Sequence, residues 1–222
     1  MSTVRFATYN IRHSQGVSGT IFTSRIAAVL AAIGADVVGL NEVWRFAWRP
    51  DQAGQIAKIL GGAHVYAEAH ARFGIGLGNA VLTRGTLIDS TVIPLGGKQE
   101  TRVCLLVTAE VAGVRLRFAT THLSLDAPTR AVQIGLLSET LPVDLPLVLS
   151  GDFNAKVREL EPLRSILTVV DAPPPTFMAP FPTVALDHIA FSEHWRLEAL
   201  ETVRSSASDH VPLVAELTLR QG

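Results

Sequence analysis

Ser150-Gly151-Asp152-Phe153-Asn154 is the stretch on which the reading of this chain turns. It follows Leu145 to Leu149, an apolar run short enough to be a buried strand. Gly151 permits a tight exit from that strand. Asp152 and Asn154 lie two apart, so a base and a neutral donor are aimed at one small volume. The alternative is a local turn in which the aspartate bonds its own backbone two residues on.

The same arrangement recurs on other strands. Asn10 ends Val4-Phe6-Thr8 on one face, Glu42 ends Val38-Leu40, and His122 ends Leu116-Phe118-Thr120. Side chains alternate along a strand, so each polar group points to the buried side just where its strand leaves the core. A buried charge without a partner is costly. Taken singly, Glu42 reads equally as a surface acid, His122 as a satisfied core histidine and Asn10 as a turn residue. As a set they point to a common rim where they meet a metal or each other. Ser208-Asp209-His210-Val211-Pro212-Leu213 adds a carboxylate beside an imidazole, which cannot both point the same way in an extended chain. Asp187, in Leu186-Asp187-His188-Ile189, is the candidate partner for His210, because a carboxylate orients an imidazole and stabilises its charged form. His188 alternates away and receives no role.

Around these groups, strands and helices alternate from the first residues. Strands are expected at Val4–Tyr9, Asp36–Val43, Asn79–Thr83, Thr86–Ile93, Arg102–Val111, Val114–His122, Leu145–Leu149, Val184–Phe191, Trp195–Val203 and Val211–Leu219. Ala112-Gly113 reads as a hairpin turn. Helices are expected over Ile26–Ile33, with Thr23 as N-cap and Gly34 as stop, over Pro50–Leu60, and after Asp126-Ala127-Pro128. Gly74-Ile75-Gly76-Leu77-Gly78 lacks dinucleotide-binding spacing and reads as a loop before the Asn79 strand. Neither a repeat nor a linker divides residues 1–222, which read as a single domain.

Composition bounds the class. The 222 residues are 48% hydrophobic and 18% charged, enough apolar material for a sizeable core. The net charge of −1 argues against a protein that coats nucleic acid, though not against a nuclease with a local basic groove. A single cysteine, Cys104, excludes an internal disulfide and a cysteine zinc cluster. No signal-peptide h-region and no apolar run long enough to span a bilayer is visible, so a cytoplasmic protein is expected. A monomer is expected.

With these motifs in order, the chain resembles the endonuclease/exonuclease/phosphatase superfamily. The matching pieces are Thr8-Tyr9-Asn10-Ile11, Val38-Gly39-Leu40-Asn41-Glu42-Val43, Gly78-Asn79-Ala80-Val81-Leu82-Thr83-Arg84, Thr121-His122-Leu123, Gly151-Asp152-Phe153-Asn154, Leu186-Asp187-His188-Ile189 and Ser208 to Leu213. They run nearly from end to end. The resemblance implies a four-layered α/β sandwich, two mixed β-sheets packed face to face with helices outside. It implies divalent-metal-dependent cleavage of a phosphate ester, with Mg2+ as the cofactor and Mn2+ as the alternative. It makes Glu42 the main metal ligand, with Asn10 and Asp209 beside it, and gives Asp152 the attacking water. Asn154 and His122 become phosphate contacts, and Asp187 and His210 the carboxylate–imidazole pair. Hard oxygen ligands suit Mg2+, which keeps several waters and shares the substrate's phosphate oxygen. The chain departs from the family at Asn41, where a glutamine is usual.

Substrate selection is less legible. Arg12 and His13 follow Asn10, and Glu42 is followed by Val43-Trp44-Arg45-Phe46-Ala47-Trp48-Arg49. Arg45 and the aromatics could clamp a phosphate and stack a base, or form a packed helix entry with solvated arginines. Asn79 is a further candidate substrate contact. Arg102 reads as a structural partner of Glu100. Phe177, Met178 and Phe181, in the proline-rich loop, form an apolar lip or tack that loop down. The partner expected is a small phosphodiester, lipid headgroup or phosphomonoester. A DNA or RNA nuclease and a non-catalytic interaction module are the rivals.

Overall fold

The computed structural model describes residues 2–48, 50–97 and 100–220. Arg49, one of the two arginines read beside the aromatics, lies outside them. The strands are β1 (Thr3–Asn10), β2 (Val37–Phe46), β3 (Ala63–Arg72), β4 (Ile75–Thr83), β5 (Thr86–Gly96), β6 (Arg102–Val111), β7 (Val114–His122), β8 (Leu147–Asp152), β9 (Thr168–Val169), β10 (Asp187–Phe191), β11 (Trp195–Thr202) and β12 (Leu213–Leu219). The α-helices are α1 (Thr23–Ile33), α2 (Gln52–Leu60) and α3 (Ala127–Thr140), with a 3₁₀ segment at Val157–Ser165.

Two mixed six-stranded sheets form, in the orders β11-β12-β1-β2-β4-β3 and β5-β6-β7-β8-β10-β9. Their inner faces supply the middle of the core. Val4, Phe6 and Val37 from one sheet meet Leu105, Leu116, Phe118 and Val148 from the other. Phe6 stacks on Phe118 with ring centroids 5.8 Å apart and meets Trp195 edge-on. Alternation sends Ala7, Tyr9, Val38 and Leu40 outward, where they bury against Ile26, Leu30 and Ile56 of α1 and α2. On the opposite outer face, Ile134 and Leu137 of α3 pack with Leu160 and Leu163 on Leu147 and Leu149. The four-layered α/β sandwich is therefore present, with the central strands β1, β2, β7 and β8 buried on both faces.

Several local expectations are corrected. The Asn41–Glu42 step is a β-bulge, between the Leu40 and Val43 pairings with β4, and β2 continues through it to Phe46. Trp44 and Phe46 are thus strand residues and not a helix entry. Gly76 and Gly78 lie inside β4 and not in a loop. At Gly78 a Cβ would stand 2.0 Å from the Ala67 carbonyl oxygen, so only glycine admits β3 that close. Residue 22 occupies the N-cap position of α1, which makes no side-chain cap bond, and Thr23 is already helical. Helix α2 starts at Gln52, capped by the Asp51 carboxylate accepting the Gly54 N–H at 2.7 Å.

Candidate active site

Strand register explains why the polar strand ends meet. In the second sheet His122 pairs with Asp152 across the parallel β7–β8 ladder, and Asp187 pairs with Asp152 across the antiparallel β8–β10 ladder. Three functional side chains therefore stand in a row. In the first sheet Asn10 pairs with Asn41, and Glu42 follows at the bulge with φ +54. The two sheet ends face each other, so one pocket rim collects both sets.

Asn10 joins them. Its Nδ2 donates to Glu42 Oε1 and to Asp152 Oδ2, both at 2.9 Å. Its Oδ1 accepts the Arg12 N–H at 3.0 Å, and its carbonyl accepts from Ser208 Oγ at 2.8 Å. Asn10 thereby holds two carboxylates near each other without neutralising either. Burial raises the Glu42 pKa, and Asp152 and Asp209 add to the rise against the Asn10 hydrogen bond. Asp209 Oδ2 meets Arg12 Nε at 3.4 Å.

The two histidines are prepared differently. His210 Nδ1 lies 2.7 Å from Asp187 Oδ2, and Asp187 is fully buried. Burial pulls the imidazole down, but Asp187, Asp152 and Asp209 outweigh it and push its pKa up to about 9. His210 is therefore an imidazolium at neutral pH. Its Nε2 faces Asp152 Oδ2 at 3.7 Å, and Phe177 of the proline-rich loop covers the ring at 4.9 Å. Phe177 thus closes over His210, while Met178 and Phe181 stay exposed.

His122 faces the other way electrically. Arg102 donates from its Nη1 to His122 Nδ1 at 3.1 Å and from its Nη2 to Glu100 at 2.8 Å. A guanidinium has no acceptor, so Nδ1 carries the lone pair and Nε2 the proton. That Nε2 faces Asp152 Oδ2 at 3.5 Å. Burial, helped by Arg102 and opposed by Asp152, lowers the His122 pKa to about 4. His122 is a neutral, oriented donor. Sequence reasoning gave Arg102 only the Glu100 pair. The hairpin register, which sets Cys104 opposite Thr121, was the signal that Arg102 emerges beside His122.

Other sequence candidates fall where they support the site or turn from it. Asn154 makes the local turn. Its N–H donates to Asp152 Oδ1 at 3.0 Å, and its Nδ2 donates to the Leu123 carbonyl at 3.1 Å. Asn79 is buried, donating to the Val103 carbonyl at 2.9 Å and accepting from Asn41 Nδ2 at 2.9 Å. Asn41 Oδ1 accepts the Asp152 N–H at 2.9 Å. This pair ties the sheets together directly behind Asp152, a role sequence reasoning missed. Arg45 lies over the Tyr66 ring, 5.8 Å from its centroid. His13 Nδ1 stands 4.0 Å from Glu42 Oε2.

The sequence profile of the Endonuclease/Exonuclease/phosphatase family matches residues 7–210. The chain belongs to that family. Its members are phosphoesterases and nucleases, so a hydrolase site is the frame for these residues. No curated protein matches the chain. Solved structures do. An endonuclease/exonuclease/phosphatase from Beutenbergia cavernae is 25% identical over 99% of this chain and 72% of that one, with TM-score 0.85. The mannosyl-6-phosphatase Bt3783 of Bacteroides thetaiotaomicron is 21% identical over 97% and 100%, with TM-score 0.78. Humanized D. rerio TDP2 is 15% identical over 98% and 100%, with TM-score 0.75. The last two share the fold.

The family is generally divalent-metal dependent, and the donor set here fits a hard cation. Glu42, Asp152 and Asp209 place three carboxylates at this rim; burial raises the Glu42 pKa most, and the other two carboxylates add to it. Among the described residues no group of three or more His, Cys, Asp or Glu side chains is placed to hold a metal ion.

Proposed function

We propose that this chain is a Mg2+-dependent phosphodiesterase, with Mn2+ as an alternative ion, that hydrolyses a small phosphate ester by in-line attack of water. The observation that carries the reading is the row His122–Asp152–Asp187 with His210 seated between the two carboxylates.

Glu42 would hold the ion, with Asp209 and Asn10 beside it. When bound, the ion supplies positive charge to the phosphoryl oxygens. Asp152 accepts the proton of the attacking water. Its Oδ1 is fixed by the Asn154 N–H and its Oδ2 by Asn10, so the carboxylate is oriented before substrate arrives. His210 as imidazolium and His122 as neutral Nε2–H donor face the same carboxylate edge at 3.7 and 3.5 Å. Both separations exceed a direct hydrogen bond and leave the donors available to phosphoryl oxygens. Asp187 keeps His210 charged and its ring in place. No side-chain nucleophile is required.

The test is a panel of bis-p-nitrophenyl phosphate, p-nitrophenyl phosphate, plasmid DNA, RNA and sphingomyelin, with Mg2+ or EDTA, for wild type and Asp152→Asn. Metal-dependent hydrolysis of a small diester that the variant loses is the expected result. Preferential cleavage of DNA or RNA, with steep salt dependence, would replace the reading by a nuclease. Hydrolysis of none, or equal turnover in EDTA, would reject it.

A further inference from the structure

The two flanks of Glu42 differ. On one side lies a cleft of about 10 Å³, room for about one water, lined by Glu42, His70, Leu77, Asn79, Arg102 and His122. It is smaller than the roughly 300–1,000 Å³ of pockets that enclose drug-sized ligands. On the other side the His13 imidazole lies flat on the Trp44 indole, with centroids 4.1 Å apart and planes within 11°. His13 Nδ1 stands 4.0 Å from Glu42 Oε2, and the His13 side chain is 22% exposed.

This stack is built, not incidental. Arg12, His13 and Ser14 have φ of +43, +44 and +66, three consecutive non-glycine residues in the left-handed region. Such backbone persists only where the surroundings enforce it, and it clusters at functional sites. Gln52 does the enforcing. Its buried amide donates from Nε2 to the His13 carbonyl at 2.7 Å and accepts the Trp44 N–H at Oε1 at 2.9 Å. One side chain thus bolts both partners of the stack. Beyond it the aromatic face continues through Phe46, edge-on to Trp44 at 5.7 Å, to Trp48 in the turn after β2, which is 74% exposed.

We propose that the His13–Trp44 stack is a ring-binding platform that receives a flat ring carried by the alcohol of the phosphate ester. The inference rests on the phosphoesterase reading and narrows its substrate class. The polar cleft is too small for such a ring, so the ring-bearing arm lies across the platform while the phosphate sits at Glu42. The shared chemistry is a planar or apolar ring face, whether aryl, nucleobase or pyranose. Stacking of this kind changes affinity by about 5- to 150-fold.

The experiment measures competitive inhibition of Mg2+-dependent bis-p-nitrophenyl phosphate hydrolysis by methylphosphonate and by phenyl-, nucleoside- and pyranosyl-bearing phosphonates. Inhibition constants remove differences in leaving-group reactivity. Wild type is expected to bind at least one ring-bearing phosphonate fivefold or more tighter than methylphosphonate, and the ring that gains identifies the source. Trp44→Leu and His13→Ser are each expected to bring that ratio toward one. A wild-type ratio near one, or a ratio unchanged in both variants, overturns the platform while leaving the phosphoesterase reading intact. Absence of metal-dependent hydrolysis in wild type overturns both.

Discussion

Asn41→Leu removes the amide that stitches the two sheets behind Asp152. Asn41 is fully buried, accepting the Asp152 N–H and donating to Asn79 Oδ1, each at 2.9 Å. Leucine has a similar size but no polar atom. It leaves a backbone N–H and a side-chain carbonyl unpaired where water does not reach. Each orphaned group costs about 1–3 kcal/mol, so the pair costs about 2–6 kcal/mol. For a chain of this length, each kcal/mol lowers Tm by about 2–4 °C, giving a fall of at least about 4 °C. Thermal unfolding followed by circular dichroism reads this directly. Hydrolysis should fall as well, because a displacement of about 1 Å at a reacting group can cost about 100-fold. Asn41→Gln adds a methylene to a filled space and should cost about 1–3 kcal/mol. A Tm for Asn41→Leu within 1 °C of wild type, with unchanged turnover, would refute the stitching role.

Four further outcomes are expected. His210 holds its proton up to about pH 9 when folded and to about 6.5 unfolded. The stability from this is full below about pH 6.5 and is lost as pH rises through 9, a difference on the order of 3 kcal/mol. Asp187→Asn should flatten that stretch of the stability–pH curve, and parallel curves for the two proteins would count against the pair. Arg102→Gln should free His122 to exchange tautomers. Nitrogen NMR of the imidazole should then lose its single Nε2–H form, and an unchanged spectrum would contradict the assignment. Glu42→Gln should weaken Mg2+ binding by titration calorimetry about tenfold or more, and an unaltered isotherm would remove Glu42 from the ion's site. Gly151→Ala would place a Cβ 1.9 Å from the Thr121 carbonyl oxygen at φ +143, so poor expression or a large drop in Tm is expected. A wild-type melting curve would mean the strand exit tolerates a side chain.

What the sequence made legible followed from alternation. Val4-Phe6-Thr8-Asn10 and Leu116-Phe118-Thr120-His122 keep one phase to the strand end, so their polar termini could be assigned to the buried rim before any coordinates. Beyond Glu42 the phase failed because the bulge at Asn41–Glu42 shifts it, which hid Trp44 and Phe46 as strand residues. Strand β3 went unread because Ala63, His64, Ala67, Ala69, His70 and Ala71 carry little β preference and half of it is exposed. Asn154 satisfied two readings at one spacing, and only its contact with the Leu123 carbonyl shows where its amide goes. The opposite charge states of His122 and His210 depend on Arg102 and Asp187, neither adjacent in sequence to the histidine it controls.

The most direct test of the central claim is the position of isotope after hydrolysis of a small phosphodiester in H2 18O with Mg2+. Attack of an Asp152-oriented water on phosphorus predicts one 18O in the phosphate product, none in the released alcohol, and no turnover by Asp152→Asn. Label in the alcohol, or turnover by Asp152→Asn close to wild type, would contradict the account.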